Sequence, residues 1–473
     1  MTLSEYVNSI KNKRIGVIGI GISNVPLIRL LAFSGCDVTA CDARTMDKLG
    51  MDALNLITMG VKLRLGSGYL DNLDFDIIFR TPGLMPFDSH LKAAEEKGSI
   101  ITSEMEVFFS VCPCRTIAIT GSDGKTTTST IIAMLLKEAG YAVHLGGNIG
   151  HPLLCDAPMM KKEDIAVLEL SSFQLHSMKC RPDVSVITNI SSNHLDKHGT
   201  FEDYVEAKKS IFRGQTADDV LVLNADDSLV SSFADEAKAK IRYFGTYIPD
   251  NGSPCVYVDN GIIYRAEDIM PAGGCDAEFS MKRLMPVTDV FLPGEHNIKN
   301  FIAAFAAVNG LVSDDVCRKV ASEFRGVEHR LETVRVHKGV TYINDSIGSS
   351  PSRTIAGIHA LPKKSIIILG GYDKGIPFDS LADTVCTGVK EAVLTGATAS
   401  GIRRAIIDSK VCPDEDKPKL HMVPDFDEAV MTAAGIAEEG DIVLFSPACA
   451  SFDCFRNFEE RGNHFKKLVM ELE

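Results

Sequence analysis

Residues Arg115–Thr128 read RTIAITGSDGKTTT. The apolar, largely β-branched run from Thr116 to Ile119 predicts a strand that feeds a tight loop. Gly121 and Gly124 let the backbone turn its N–H groups toward an anion. Thr126 onward opens a helix whose N-terminus carries partial positive charge. In such a strand–loop–helix unit, Gly121, Ser122, Asp123, Gly124 and Thr127 cradle nucleotide phosphates, Lys125 reaches the β- and γ-phosphates, and the Thr126 hydroxyl faces Mg²⁺. The usual glycine six positions before the lysine is here Ile119, so the loop is a shorter G-x-x-G-K-T form. A Gly-rich turn with an incidental lysine is the alternative, and the flanking strand and helix weigh against it.

At 473 residues the chain is too long for one core, and about three domains are expected. A hydrophobic fraction of 45% with 24% charged residues is that of an ordinary globular protein. The net charge of −14 argues against a nucleic-acid partner or an anionic membrane surface, so an anionic small substrate needs local basic pockets. Thirteen cysteines, an odd number scattered through apolar runs, suit a reducing compartment, and Cys112-Pro-Cys114 reads as two free thiols. Neither a signal peptide nor a membrane-spanning apolar run is evident, and the expected location is the cytoplasm.

Three strand–helix regions follow one another. The first opens with Arg14 to Gly21, an apolar strand ending in glycines, then a helical period (Val25, Leu27, Ile28, Leu30, Leu31) and a second strand, Asp37–Asp42. This βαβ unit carries Gly19-x-Gly21-x-x-Asn24, a weak dinucleotide signal whose third position is Asn, which is expected to loosen helix–strand packing; Asp42 is placed to meet a sugar or base. The second region runs from the phosphate loop through apolar strands at 165–170, 184–190 and 220–223, with antiparallel hairpins expected between Tyr243 and Val290. Asn297–Leu311 has a helical period, and Ser313 or Asp314 is the expected N-cap of a further helix ending near Gly326. The third region alternates again, with strands at 340–343, 365–369, 392–394 and 441–445, implying a parallel or mixed sheet. The whole is read as α/β: a Rossmann-like domain at 1–107, a P-loop mononucleotide-binding domain with extra antiparallel strands at 108–326, and a second Rossmann-like domain at 327–473.

Glu169 ends an apolar strand, where doubly wound sheets bind ligands, and a carboxylate there suits Mg²⁺. The run from Asn193 to His198 (NHLDKH) follows another strand. A lone histidine is more often structural, but this His–Asp–His cluster beside a phosphate loop points His194 to a metal or phosphate role. Lys208 lies on a helix close behind, and spacing alone reads it as part of a solvated face.

The order GSDGKTT (121–127), GGNIG (146–150), ELSSFQL (169–175), NHLDKH (193–198), GEHNIKN (294–300), EHR (328–330), NDS (344–346) and SPACASFDCFRNFEERG (446–462) resembles the Mur ligases of peptidoglycan synthesis over essentially the whole chain. The final segment resembles that of the members that add D-glutamate. The resemblance implies ATP-dependent ligation of D-glutamate to UDP-N-acetylmuramoyl-L-alanine through an acyl phosphate, by a monomer using ATP and two Mg²⁺ ions. It implies ATP binding by the loop residues with Asn297, Asn300, Arg330 and Asp345, and metal ligation by Thr126, Glu169, His194 and Lys208. Lys208 matches a lysine that the family carries as a carbamate, which overturns the solvated-face reading. Lys125, His194 and Lys208 are the implied catalytic set. Ile22, Ser23, Asp42, Arg44 and Asn148 match UDP-sugar positions, and Ser349, Lys374, Ser451 and Phe458 match D-glutamate positions.

One departure stands out: the family's frequent NDSKATN is here NDSIGSS, residues 344–350, so Ile347 replaces a lysine and Ser349 a threonine. Arg353 is the candidate to restore the missing charge. The family mechanism also implies domain closure, with Gly326 as a candidate hinge. Three rivals remain: a sister ligase or folylpolyglutamate synthase sharing the central domain, an NAD-linked oxidoreductase using the first βαβ unit, and a non-catalytic nucleotide-binding protein.

Overall fold

The computed structural model describes residues 1–473 except 22, 150–151, 192–198, 249–252, 268–279, 293 and 374. The described residues form two compact units, Met1–Phe324 and Arg325–Glu473.

The first unit holds two sheets. One comprises β1 (Arg14–Ile18), β2 (Asp37–Asp42), β3 (Lys62–Leu65), β4 (Ile77–Phe79) and β5 (Ile100–Thr102) in the order β3-β2-β1-β4-β5, all parallel. The order reverses between β1 and β4, the kind of switch point at which open α/β sheets bind ligands. Asn24 does not loosen the first βα turn. It is buried, and its Nδ2 donates to the Ile18 carbonyl at 2.9 Å, tying the start of helix Val25–Phe33 to the end of β1. A polar side chain here replaces the close approach that glycine usually allows.

The other sheet comprises β6 (Arg115–Thr120), β7 (Val143–Gly147), β8 (Ile165–Glu169), β9 (Val184–Ile187), β10 (Val220–Asn224), β11 (Lys240–Gly245), β12 (Cys255–Asp259), β13 (Ile262–Glu267) and β14 (Ser280–Pro286). Its order is β14-β13-β12-β11-β10-β9-β6-β8-β7. Strands β12, β13 and β14 pair antiparallel, as the Gly- and Pro-rich composition of that stretch predicts, whereas β11 and β12 pair parallel. Helix Glu295–Ala307 packs on helix Lys125–Glu138, which follows β6. Ser313 caps helix Asp314–Glu323 by accepting from Val316 N.

The second unit is one sheet of β15 (Glu332–His337), β16 (Val340–Asn344), β17 (Ser365–Gly370), β18 (Val389–Thr395), β19 (Lys419–Met422) and β20 (Ile442–Phe445), in the order β15-β16-β20-β17-β18-β19. Only the β15–β16 pairing at the edge is antiparallel. Alternate residues of its central strands serve opposite faces: Ile367, Leu369 and Leu444 enter one apolar layer and Ile366, Ile368 and Phe445 the other. Burial on both faces explains why these strands read as continuous hydrophobic runs. Among the described residues no helix is long and apolar enough to cross a membrane, and the described cysteines, Cys112 and Cys114 included, are free thiols.

Candidate active site

The phosphate loop leaves β6 at the centre of its sheet. Gly121 has φ +153° and Gly124 φ +77°, a region that glycine enters at little cost. Both positions are also crowded: a Cβ on Gly121 would lie 1.8 Å from Thr188 Oγ1, and one on Gly124 would lie 2.3 Å from Asn300 Oδ1. Residues just past β9 latch the loop. Thr188 Oγ1 donates to Asp123 O at 2.6 Å, Asn189 Oδ1 accepts from Asp123 N at 2.9 Å, and Asn189 O accepts from Ser122 N at 2.9 Å. Lys125 opens the following helix and folds back to donate to the carbonyls of Gly121 and Ser122 at 2.9 and 2.7 Å. Thr126 is buried beside it at the helix start.

Glu169 ends β8 in register with Ile119 of β6 and with Gly147 of β7. It is 1% exposed. Asn148 Nδ2 donates to its Oε1 at 2.8 Å, while Oε2 is buried without a hydrogen-bond partner among the described residues. Such an acceptor-only oxygen, desolvated and unpaired beside a phosphate loop, fits a hard divalent cation. The Thr126 hydroxyl supplies a second oxygen of the right chemistry.

Lys208 does not lie on a solvated face. On helix Phe201–Arg213 it is 1% exposed, and its Nζ donates to Gly121 O at 2.7 Å and lies 4.6 Å from the centre of the Tyr204 ring. Burial, then the nearby charge of Lys125, holds its ammonium well below the ordinary lysine range. The Tyr204 hydroxyl is 2.8 Å from Ser122 Oγ, so this helix also braces the loop. His194, Ile22 and Lys374 lie outside the described residues.

Asn300 on helix Glu295–Ala307 is buried against the loop, its Oδ1 accepting from Thr128 Oγ1 at 3.3 Å, and Asn297 is half-buried one turn earlier. At the first-sheet switch point, Asp42 is buried and fully used. Its carboxylate accepts from Ile20 N at 2.7 Å and from Arg44 N, Nε and Nη2 at 2.8, 2.9 and 2.8 Å. These bonds hold the Asp42 carboxylate below its ordinary range against the opposing effect of burial. Asp42 thus shapes the turn and aims Arg44, while Ser23 is exposed.

In the second unit, Asp345 follows β16 and is 4% exposed. Burial raises it to about 6, although Ser446 Oγ donates to Oδ2 at 2.6 Å and Leu331 N to Oδ1 at 3.2 Å. Arg330 is exposed on the adjoining loop. Arg353 donates to the Ile347 carbonyl at 3.4 Å, and its charge is felt by Asp345. Ser451 is buried, Ser349 is half-buried, and Phe458 opens helix Phe458–Glu471 with its ring edge-on to His329 at 6.1 Å. Asn344 anchors this cluster from below: its Nδ2 lies 2.9 Å from His329 Nδ1 and 3.1 Å from Glu332 Oε2.

The structure therefore brings Lys125, Thr126, Glu169, Asn148, Lys208 and Asn300 around one loop, and Asp345, Ser349, Ser451 and Phe458 to the loops of the third sheet. Sequence reasoning missed the latch formed by Thr188 and Asn189, the Tyr204 brace, and Ser446 beneath Asp345. The first had a signal in polar residues directly after an apolar strand; the others sit in segments whose partners are distant in sequence.

Residues 119–308 match the model of the Mur ligase middle domain and residues 329–449 that of the Mur ligase glutamate ligase domain. The chain is 47% identical to the UDP-N-acetylmuramoylalanine--D-glutamate ligase of Acetivibrio thermocellus, covering 100% of this chain and 99% of that protein. It is 44% identical to the enzyme of the same name from Clostridium novyi, with the same coverage. Among solved structures, the UDP-N-acetylmuramate-alanine ligase MurC of Thermotoga maritima shares the fold, with a TM-score of 0.51 at 18% identity over 97% of this chain and 99% of that one. The chain belongs to the Mur ligase family, together with these UDP-N-acetylmuramoylalanine--D-glutamate ligases.

Proposed function

We propose that the chain joins D-glutamate to UDP-N-acetylmuramoyl-L-alanine with ATP as the driving reactant, releasing ADP and phosphate in the making of peptidoglycan precursors. The observation that carries the chemistry is the orphaned Oε2 of Glu169, buried one strand from the phosphate loop. The amino acid added rests on the relatives' identity over the full chain and on the match of the SPACAS segment.

The alanyl carboxylate attacks the γ-phosphorus in line, and an acyl phosphate and ADP result. Lys125, released from the loop carbonyls it now contacts, offsets charge on the transferring group. The unprotonated amine of D-glutamate then attacks the acyl carbon, and the tetrahedral adduct expels phosphate. Excluding water protects the acyl phosphate, and holding reactants within ~3–3.5 Å supplies much of the rate. Thr126, Glu169 and His194 would hold Mg²⁺, which would supply positive charge opposite the transferring phosphoryl group. Burial of Lys208 favours the neutral amine over the ammonium, and the neutral amine is the form that adds to carbon dioxide; as a carbamate it would offer oxygens to a second ion. Asn297, Asn300, Arg330 and Asp345 bind the nucleotide. Ile22, Ser23, Arg44 and Asn148 contact the UDP-sugar, with Asp42 setting the turn, and Ser349, Lys374, Ser451 and Phe458 hold D-glutamate.

On this reading the domains span 1–107, 108–326 and 327–473, and the enzyme works as a cytoplasmic monomer. Phosphate release on mixing ATP, the UDP-sugar alanine and D-glutamate tests it. L-glutamate and D-alanine should give no release above background, and release with L-glutamate at the same rate would refute the assigned specificity.

A further inference from the structure

Arg80 directly follows β4, at the switch point of the first sheet. It is 2% exposed, and among the described residues no carboxylate is hydrogen-bonded to it. Its Nη2 donates to Phe173 O at 3.1 Å and Gln174 O at 3.4 Å, its Nε and Nη2 to Ser177 Oγ at 3.1 and 2.9 Å, and its Nη1 to Leu84 O at 3.2 Å. One guanidinium thus joins the loop after β4 to the C-terminal end of helix Ser172–Leu175, the helix that begins three residues after Glu169. The fork geometry of arginine suits this many acceptors, and lysine could not reproduce it.

Glu106 is close enough for its charge to favour the guanidinium, but burying a cation with no carboxylate bonded to it is expensive, and an apolar side chain would join the two elements at lower cost. Burial brings the guanidinium down to about 10, which leaves it charged at neutral pH. The charge also has somewhere to act. Arg80 lines a narrow cleft of about 20 Å³ with Ser23 and Asn24 of the first βα turn, with Glu104, whose carboxyl burial raises to about 7, and with Gly147 of β7 and Gln174 of helix Ser172–Leu175. Gly147 adjoins Asn148, which orients Glu169. The cleft therefore lies between the expected diphosphate turn and the metal carboxylate.

We propose that Arg80 is a positioning residue for the acceptor, a nucleoside-diphosphate sugar ending in a carboxylate: it sets the spacing across this cleft and supplies positive potential to the anionic chain bound beside it. The proposal rests on the function given above. It predicts that Arg80→Met raises KM for UDP-N-acetylmuramoyl-L-alanine at least tenfold while KM for ATP and for D-glutamate stays within twofold. Arg80→Lys, which keeps the charge but not the fork, should recover part of that loss. Thermal melting of each variant is measured alongside, and if Arg80→Met does not fold, the Arg80→Lys acceptor KM, raised severalfold, carries the test.

A folded variant with unchanged acceptor KM overturns the assignment, as do equal rises in all three KM values. A wild-type enzyme that fails to turn over the acceptor overturns the functional reading and this assignment together. A wild-type enzyme that turns it over, with Arg80 variants indifferent to it, overturns the assignment of Arg80 alone.

Discussion

Replacing Gly124 with alanine separates two effects that the phosphate loop combines. The backbone at Gly124 has φ +77°, and an L-residue there costs about 1–2 kcal/mol. The new Cβ would also lie 2.3 Å from Asn300 Oδ1, so either the loop or the Asn300 side chain must move, adding on the order of 1–3 kcal/mol in a packed environment. If nucleotide binding needs the loop and Asn300 where they are, these sum to roughly 2–5 kcal/mol, or on the order of 30- to several-thousand-fold weaker ATP binding. Gly140 provides the control. It ends the same helix region at φ +93°, but a Cβ there meets nothing within 4 Å. Gly140→Ala should cost stability through backbone strain alone and leave nucleotide affinity unchanged. Titration calorimetry with a non-hydrolysable ATP analogue and Mg²⁺ reads both variants. Wild-type affinity in folded Gly124→Ala, or an equal loss in Gly140→Ala, would refute the argument.

Three further outcomes follow from the geometry. Glu169→Gln keeps an acceptor for Asn148 but removes the anionic oxygen, so kcat should fall by about 10²–10³ and the Mg²⁺ concentration for half-activity should rise; an unaltered Mg²⁺ dependence would contradict the metal role. Burial raises Glu104 from 4.5 to about 7, so its contribution to stability is full below about pH 4.5 and is lost as pH rises through 7, a change of about 3 kcal/mol. Glu104→Gln should remove that dependence in denaturation measurements at pH 5 and pH 8, and a stability difference from wild type that does not vary with pH would show the group titrates normally. Arg353→Ala should raise KM for D-glutamate severalfold if Arg353 replaces the charge missing at Ile347, and an unmoved KM dismisses that role.

Much of this was legible because its determinants are local. Strands such as 37–42 and 365–370, the phosphate loop and the Ser313 cap each declare themselves within a few residues. Other features depended on distant partners. Lys208 reads as surface because its helix carries charges on both sides, yet its burial comes from Gly121, 87 positions away. Asn24 reads as a poor glycine substitute until its bond to the Ile18 carbonyl is seen. Strands β3 and β15 escaped notice because edge strands carry charged, half-exposed residues rather than apolar runs. Arg80 carried no pattern at all, since its four acceptor residues belong to two separate segments.

The account turns on a carboxylate oxygen passing from the acceptor to phosphorus. An acceptor labelled with ¹⁸O in both oxygens of its alanyl carboxylate, turned over with ATP and D-glutamate, tests this by the mass of the phosphate released. Transfer of one labelled oxygen into each phosphate is the predicted result; phosphate free of label, formed at the rate of peptide product, would contradict it.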